Sequence, residues 1–255
     1  MRRRFPAVAV AVVAGMVAAP TAAVAEAARP LRVAVALPAP GFWDGTTARA
    51  GGFEADLARE LATRLGRGGV TVVDTPFPRI VRGRFAADLA LSEVSITPER
   101  ERVVDFSVPY LFVDQAVVMG ATAALGDWHL PDLRWGVVRA TTGADTLRTV
   151  VRPVVEATEF ATESEAFAAL GAGRVDAVMI DGPIAARAVA ASGGALAISL
   201  FVPTGERYGV VLPKGSRLRR PVSVALAAMV GDGTVARLAA AAGLPTRVPE
   251  PDFIT

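Results

Sequence analysis

The segment Ser95-Ile96-Thr97-Pro98-Glu99-Arg100 sets an arginine immediately behind a helix start. A Thr hydroxyl caps free backbone amides, and Pro fits the first helical position. The first turn then carries Arg100, whose planar fork can hold a carboxylate through two parallel hydrogen bonds. Thr141-Thr142-Gly143 reads as a second helix start, offering hydroxyls and amides suited to the same anion. Asp181 supplies an acceptor for an ammonium group. One cation facing one anion across a crevice matches a zwitterion. The competing readings are structural: Arg100 paired with Glu99, Glu101 or Asp105 on a solvated surface, and Asp181 capping a helix that starts near Pro183.

Other chemistries are excluded by composition. The chain has one histidine, His129, and no cysteine, so neither a metal cluster nor a Ser-His triad can be assembled. It has no Walker phosphate loop and no dinucleotide glycine fingerprint. Neither cofactor nor metal is expected. Residues 1–25 run from Arg2-Arg3-Arg4 through an apolar stretch to Ala23-Val24-Ala25, the parts of a cleavable secretory signal peptide. Three of the 27 basic residues fall there, leaving 24 against 25 acidic, a net charge of −1 that makes no case for nucleic acid as partner.

The elements that must position these groups follow from periodicity. Leu31 to Ala36 reads as a buried strand; Phe53, Leu57, Leu61 and Leu65 recur every four residues up to Gly66, an amphipathic helix. Strands are predicted at Val70–Val73 and Leu89–Leu91, with a short helix from about Pro78 to Gly83 between them. After an apolar strand at Gln115–Met119 the alternation restarts: strand Trp135–Val138, helices near Ala144–Val151 and Ser164–Leu170, strand Val175–Ile180, helix Pro183–Ala191. The last strand, Tyr208–Leu212, and two Ala-rich helices lack a sheet of their own and are expected to return to the first unit. Two successive α/β units imply two lobes of mostly parallel sheet flanked by helices.

In open α/β sheets ligands sit beyond the carboxyl ends of the strands. Ser92 and Glu93 end one strand, Thr141 and Thr142 follow another, and Asp181 ends a third. A ligand touching all of them lies between the lobes.

The chain resembles the extracellular solute-binding proteins of family 3, which serve polar-amino-acid ABC transporters. The resemblance covers essentially all of it after the signal. Its motifs are Gly52 to Ala58 (GFEADLA), Ser95 to Arg102 (SITPERER), Val104 to Tyr110 (VDFSVPY), Gly173 to Ala177 leading to Asp181, Tyr208 to Gly215 (YGVVLPKG), and Asp232-Gly233-Thr234. Each motif is weak alone; their shared order makes the assignment strong. The resemblance implies a two-lobed periplasmic binding protein fold (type II) with lobe 1 formed by 30–115 and 206–255 and lobe 2 by 116–205. Its two hinge strands are expected near Gln115–Val118 and Glu206–Val210.

It also implies that Arg100 binds the ligand α-carboxylate with help from Ser95, Thr141 and Thr142, that Asp181 binds the α-ammonium, and that Phe42 and Phe77 line the side-chain end of the pocket. A monomer working in the periplasm with an ABC permease is expected. Three positions depart from the family pattern, and the Phe77 helix is about two residues short. Ala39 stands where an aromatic is usual, so that Trp43 must replace the stacking wall or the wall is lost. Glu93 stands where a small residue is common, which either recognises a cationic side chain or repels a ligand carboxylate. Ala140 replaces a glycine. Ile184 stands where the dehydratase branch, which acts on cyclohexadienyl acids, has a glutamate. An accessory or sensory binding protein is the remaining alternative.

Overall fold

The structure is a computed structural model that describes residues 29–46, 50–125 and 127–244. The predicted signal peptide (1–25) and the end of the segment assigned to lobe 1 (245–255) lie outside the described residues.

Strand β1 (Leu31–Val35) is flanked in parallel by β2 (Val70–Asp74) and β3 (Leu89–Ala90). Helix α1 (Phe53–Arg64) buries Phe53, Leu57 and Leu61 completely, the four-residue repeat read from the sequence. Each such side chain contributes roughly 1.5–3 kcal/mol of burial free energy. Gly66 ends the helix in the left-handed region at φ 66. Two single-turn helices follow, α2 (Phe77–Ile80) and α3 (Pro98–Glu101).

The second unit contains β5 (Trp135–Val138), α4 (Thr142–Thr146) running into a π-helical turn at Leu147–Val151, and β6 (Thr158–Phe160). It is completed by α5 (Glu163–Gly171), β7 (Ala177–Asp181) and α6 (Gly182–Ala191). Here β5 pairs in parallel with both β6 and β7. Two long strands run through everything: β4 (Val104–Gly120) and β8 (Leu196–Pro213). Helices α7 (Arg219–Gly231) and α8 (Thr234–Ala241) follow, and Arg64 of α1 reaches Asp232 between them at 2.8 Å.

The strands form one hydrogen-bonded order, β2-β1-β3-β8-β4-β7-β5-β6. The β1–β3 group joins β8 near its C-terminal end, Ala90 opposite Val211, whereas β7 joins β4 over Gln115–Met119. A half-sheet therefore hangs on each end of an antiparallel β4/β8 ribbon. Between them the register jumps: Val113 faces Glu206 but Gln115 faces Val202, so Pro203, Thr204 and Gly205 bulge out. Asp114 Oδ1 accepts from the Thr204 and Gly205 N–H groups, both at 2.9 Å, and Gly205 takes φ 62.

Three elements differ from the sequence reading. The strands expected at Gln115–Met119 and Tyr208–Leu212 are the inner parts of much longer ones, because Pro109 and Gly205 interrupt the apolar pattern without ending the ladder. Strand β6 was not anticipated; it is a three-residue edge strand with two exposed positions.

Candidate functional site

The strand ends of both half-sheets converge on a cavity of about 820 Å³. Ser92, Glu93, Ser95, Arg100 and Phe77 line it from the first unit, and Thr141, Thr142, Glu163 and Asp181 from the second.

Arg100 is positioned by the predicted helix start: Thr97 Oγ1 accepts from the Arg100 N–H at 3.2 Å. The side chain is only 8% exposed, and its guanidinium lies 5.5 Å from the centre of the Phe77 ring. Nη1 donates to Ser95 O at 2.8 Å, and Nη2 crosses to the second unit to donate to Ala140 O at 3.0 Å. The solvated pairing with Asp105 is ruled out, since that carboxylate binds Lys214 at 3.1 Å. Burial lowers the Arg100 pKa from its ordinary value, opposed by the charges of Asp181, Glu206 and Asp145.

Asp181 occupies the N-cap position of α6 yet makes no side-chain cap bond. Its Oδ1 accepts from Gln115 Nε2 at 2.6 Å and its Oδ2 from the Tyr208 hydroxyl. Burial, reinforced by the Glu206 charge, pushes its pKa up to about 6 against those two hydrogen bonds and the Arg100 charge. Neither Arg100 nor Asp181 forms an ion pair with a side chain among the described residues; their partners are the carbonyls, amide and hydroxyl just named.

The remaining polar residues are partly committed. Ser95 Oγ donates to Glu206 Oε2 at 2.6 Å, and Ser92 Oγ accepts from the Ala36 N–H at 3.0 Å. Thr141 caps α4 by accepting from the Ala144 N–H at 3.3 Å while donating to Val138 O at 2.7 Å. Thr142 Oγ1 accepts from Gln115 Nε2 at 3.3 Å. Glu93 is buried with Oε1 lacking any partner, and its pKa is raised well above the usual carboxylate range by burial first.

Two expectations need correction. Phe42 and Trp43 do not line the cavity; both are 1% exposed in the core, Phe42 edge-on to Phe53 at 6.2 Å. The cause is local: Phe42 and Trp43 N–H groups both bond Ala39 O, at 3.1 and 2.7 Å, and this tight turn directs the rings into the hydrophobic core. Phe77 remains as the aromatic wall. Sequence reasoning missed Glu163, which opens α5 after the unanticipated β6, and the trio Gln115, Tyr208 and Glu206 that holds Asp181 and Ser95. The Thr162 cap on the Glu165 N–H, at 3.2 Å, is the signal that would have placed Glu163 at a helix mouth.

Among the described residues the backbone is left-handed at three non-glycine positions, Glu93 (φ 51), Ala140 (φ 63) and Arg152 (φ 56), and the first two lie on the cavity wall. Such conformations persist where the surroundings hold them and cluster at functional sites.

A mixed α/β sheet of this order, with polar strand ends turned toward one cavity, is the periplasmic binding protein fold. Its sequence settles which branch: the chain belongs to the bacterial extracellular solute-binding proteins, family 3, whose pattern it matches over residues 31–241. Similar proteins include the L-cystine-binding protein TcyJ of Escherichia coli K12, 29% identical over 211 residues, 78% of this chain and 76% of TcyJ. The structure of an ancestral arginine-binding protein bound to arginine matches with a TM-score of 0.74 at 30% identity, covering 83% of this chain and 97% of that one. A 64-residue stretch is 44% identical to the cyclohexadienyl dehydratase of Pseudomonas aeruginosa, but spans 24% of this chain and 23% of that enzyme.

Proposed function

We propose that this protein captures an amino acid in the cavity between two lobes, 30–115 with 206–255 and 116–205, and delivers it to an ABC permease from the periplasm as a monomer. The supporting observation is the pair Arg100 and Asp181: opposite charges, both buried and lining one cavity, neither neutralised by a side-chain ion pair among the described residues. Buried charges without counter-ions are costly, and a zwitterion supplies both at once. The α-carboxylate takes the remaining Arg100 N–H groups and the amides at the α4 start; the α-ammonium takes Asp181. Because Arg100 belongs to one half-sheet and Asp181 to the other, ligand binding favours the closed arrangement of the lobes over an open one. Bending is assigned to the β4/β8 ribbon at the Pro203–Gly205 bulge.

The dehydratase reading is disfavoured by a single residue. Ile184 lines the cavity where that branch carries its glutamate, so no proton donor stands at that position, although Glu93 on the cavity wall keeps the option open. Turnover of prephenate or arogenate by pure protein would reverse this conclusion.

Arg100→Ala tests the main reading. Two charge-assisted hydrogen bonds at ~1.5–3 kcal/mol each imply a loss of affinity of at least about 100-fold. Calorimetry with the amino acid found by a thermal-shift screen, where ligand at ~100 times its dissociation constant adds about 2.7 kcal/mol, measures it. Undiminished affinity for a carboxylate ligand in a folded Arg100→Ala protein sinks the assignment.

A further inference from the structure

The cavity is electrostatically lopsided. Arg82, Arg139, Asp74 and Glu159 line its exposed rim; of the deeper charged groups Arg100 is the buried cation, while Glu93 and Asp181 are buried and Glu163 is partly buried. The acids also divide by neighbourhood. Arg100 feels Asp181, Glu206 and Asp145. Glu93 feels Glu54, Glu163 and Asp181, all negative, and Glu163 feels Asp181. Asp181 is thus the charge that Arg100 shares with Glu93 and Glu163, and those two glutamates line the same cavity, one from each half-sheet. Neither glutamate is committed elsewhere: Glu93 Oε1 has no hydrogen-bond partner, and no hydrogen bond or ion pair engages the Glu163 carboxyl among the described residues. A left-handed glutamate 9% exposed, its oxygen unpaired, is an expensive element to keep without a partner.

We propose that Glu93 and Glu163 form an acidic subsite that receives a second cationic group of the ligand, so that the protein selects amino acids with an ammonium or guanidinium at the side-chain end over neutral ones of the same shape. The assignment rests on the amino-acid reading above and adds the substrate class. With Arg100 and Asp181 taking the carboxylate and the α-ammonium, the two glutamates are the further acids, buried or partly buried on the cavity wall, that a distal cation can meet. The raised pKa of Glu163, about 8, adds a second consequence: its carboxyl largely holds its proton at neutral pH until a cation displaces it, and burial pushes Glu93 in the same direction. Binding of a dibasic ligand therefore releases protons, and binding of a neutral one does not.

Isothermal calorimetry with L-arginine and its neutral isostere L-citrulline, in buffers of different ionisation enthalpy, tests the subsite. Wild type is expected to prefer arginine by at least about 100-fold and to release protons on binding it. Glu93→Gln and Glu163→Gln, each checked by melting temperature, are expected to cut that preference at least tenfold and reduce the proton release, leaving citrulline affinity within about threefold. Equal binding of the two amino acids by wild type, or a preference unchanged in both folded variants, overturns the subsite while leaving the amino-acid reading standing. Binding of neither, together with no response to any other amino acid, overturns that reading instead. A diamine arm separates the remaining source of cations: agmatine, which lacks the carboxylate, is expected to bind more weakly than arginine, and tighter agmatine binding overturns the proposed pairing of charges.

Discussion

Two buried carboxyls in this protein look alike until their surroundings are compared. Glu54 accepts a hydrogen bond from the Tyr110 hydroxyl and Asp181 from the Tyr208 hydroxyl, and the two tyrosine rings pack with centroids 6.2 Å apart. Burial raises both acids, Glu54 to about 7 and Asp181 to about 6. Yet Glu54 is sealed on α1, where its Oε1 also accepts the Glu93 N–H at 2.9 Å, whereas Asp181 opens onto the cavity. The perturbed titration belongs to burial in both cases, and only access to a ligand separates a fold-supporting carboxyl from a site carboxyl. Glu54 underpins the site from behind, by fixing the backbone of Glu93.

Acidity breaks the symmetry most strongly. Each carboxyl has a folded pKa above its ordinary value, so the folded state binds more protons than the unfolded chain between about pH 4 and 7. The contribution of these two groups to stability is then greatest below the ordinary carboxylate range and is lost as pH rises through about 6 to 7. The Glu54 contribution is on the order of 3 kcal/mol when fully ionised. Urea denaturation at pH 5 and pH 8 is expected to show the fall, and Glu54→Gln to reduce it, the part owed to Glu163, raised to about 8, remaining; an unchanged slope in that variant removes Glu54 as its source.

Ligand affinity sorts the pair in the opposite sense. Asp181→Asn removes the counter-charge of the ammonium and is expected to weaken amino-acid binding by 10- to 100-fold, about 1.5–3 kcal/mol. Glu54→Gln keeps affinity within about threefold. Titration calorimetry on both variants decides, and equal losses collapse the distinction drawn here.

The tyrosines sharpen it on a finer scale. Tyr208→Phe withdraws a hydrogen bond that favours ionised Asp181, so the Asp181 pKa rises further and less carboxylate remains near neutral pH. Affinity is expected to drop severalfold at pH 7 and more at pH 6. Tyr110→Phe should cost stability, about 1–3 kcal/mol for the abandoned buried acceptor, and leave binding alone. Parallel melts and binding isotherms separate the two.

Much of this was legible in local sequence. The four-residue spacing of Phe53, Leu57 and Leu61 marked α1, and Trp135–Val138 is a strand with the bounds its apolar run gives. Thr97-Pro98 and Thr141 are helix starts because capping is local chemistry. What escaped was long-range. The ladder between β4 and β8 joins residues such as Val113 and Glu206, and no periodicity within either segment reports a partner so far along the chain. The same holds for Gln115 and Tyr208, whose importance lies in reaching Asp181 from other strands. Phe42 and Trp43 show the converse: an aromatic near a strand end is turned inward by a backbone turn that residue type does not encode.

The paired crossing of β4 and β8 has a mechanical side. Two adjacent backbones laced by hydrogen bonds cannot change torsions independently, so movement at the Asp114-capped loop-out is confined to a bend and a twist shared by both. In the proposed closure two coupled pins leave one path to swing along, which would return the two units to the same register on every stroke. Arg100 and Ala140 O, one from each unit, would then meet in the same alignment each time, and the proposed ligand contact would share its guanidinium with that latch.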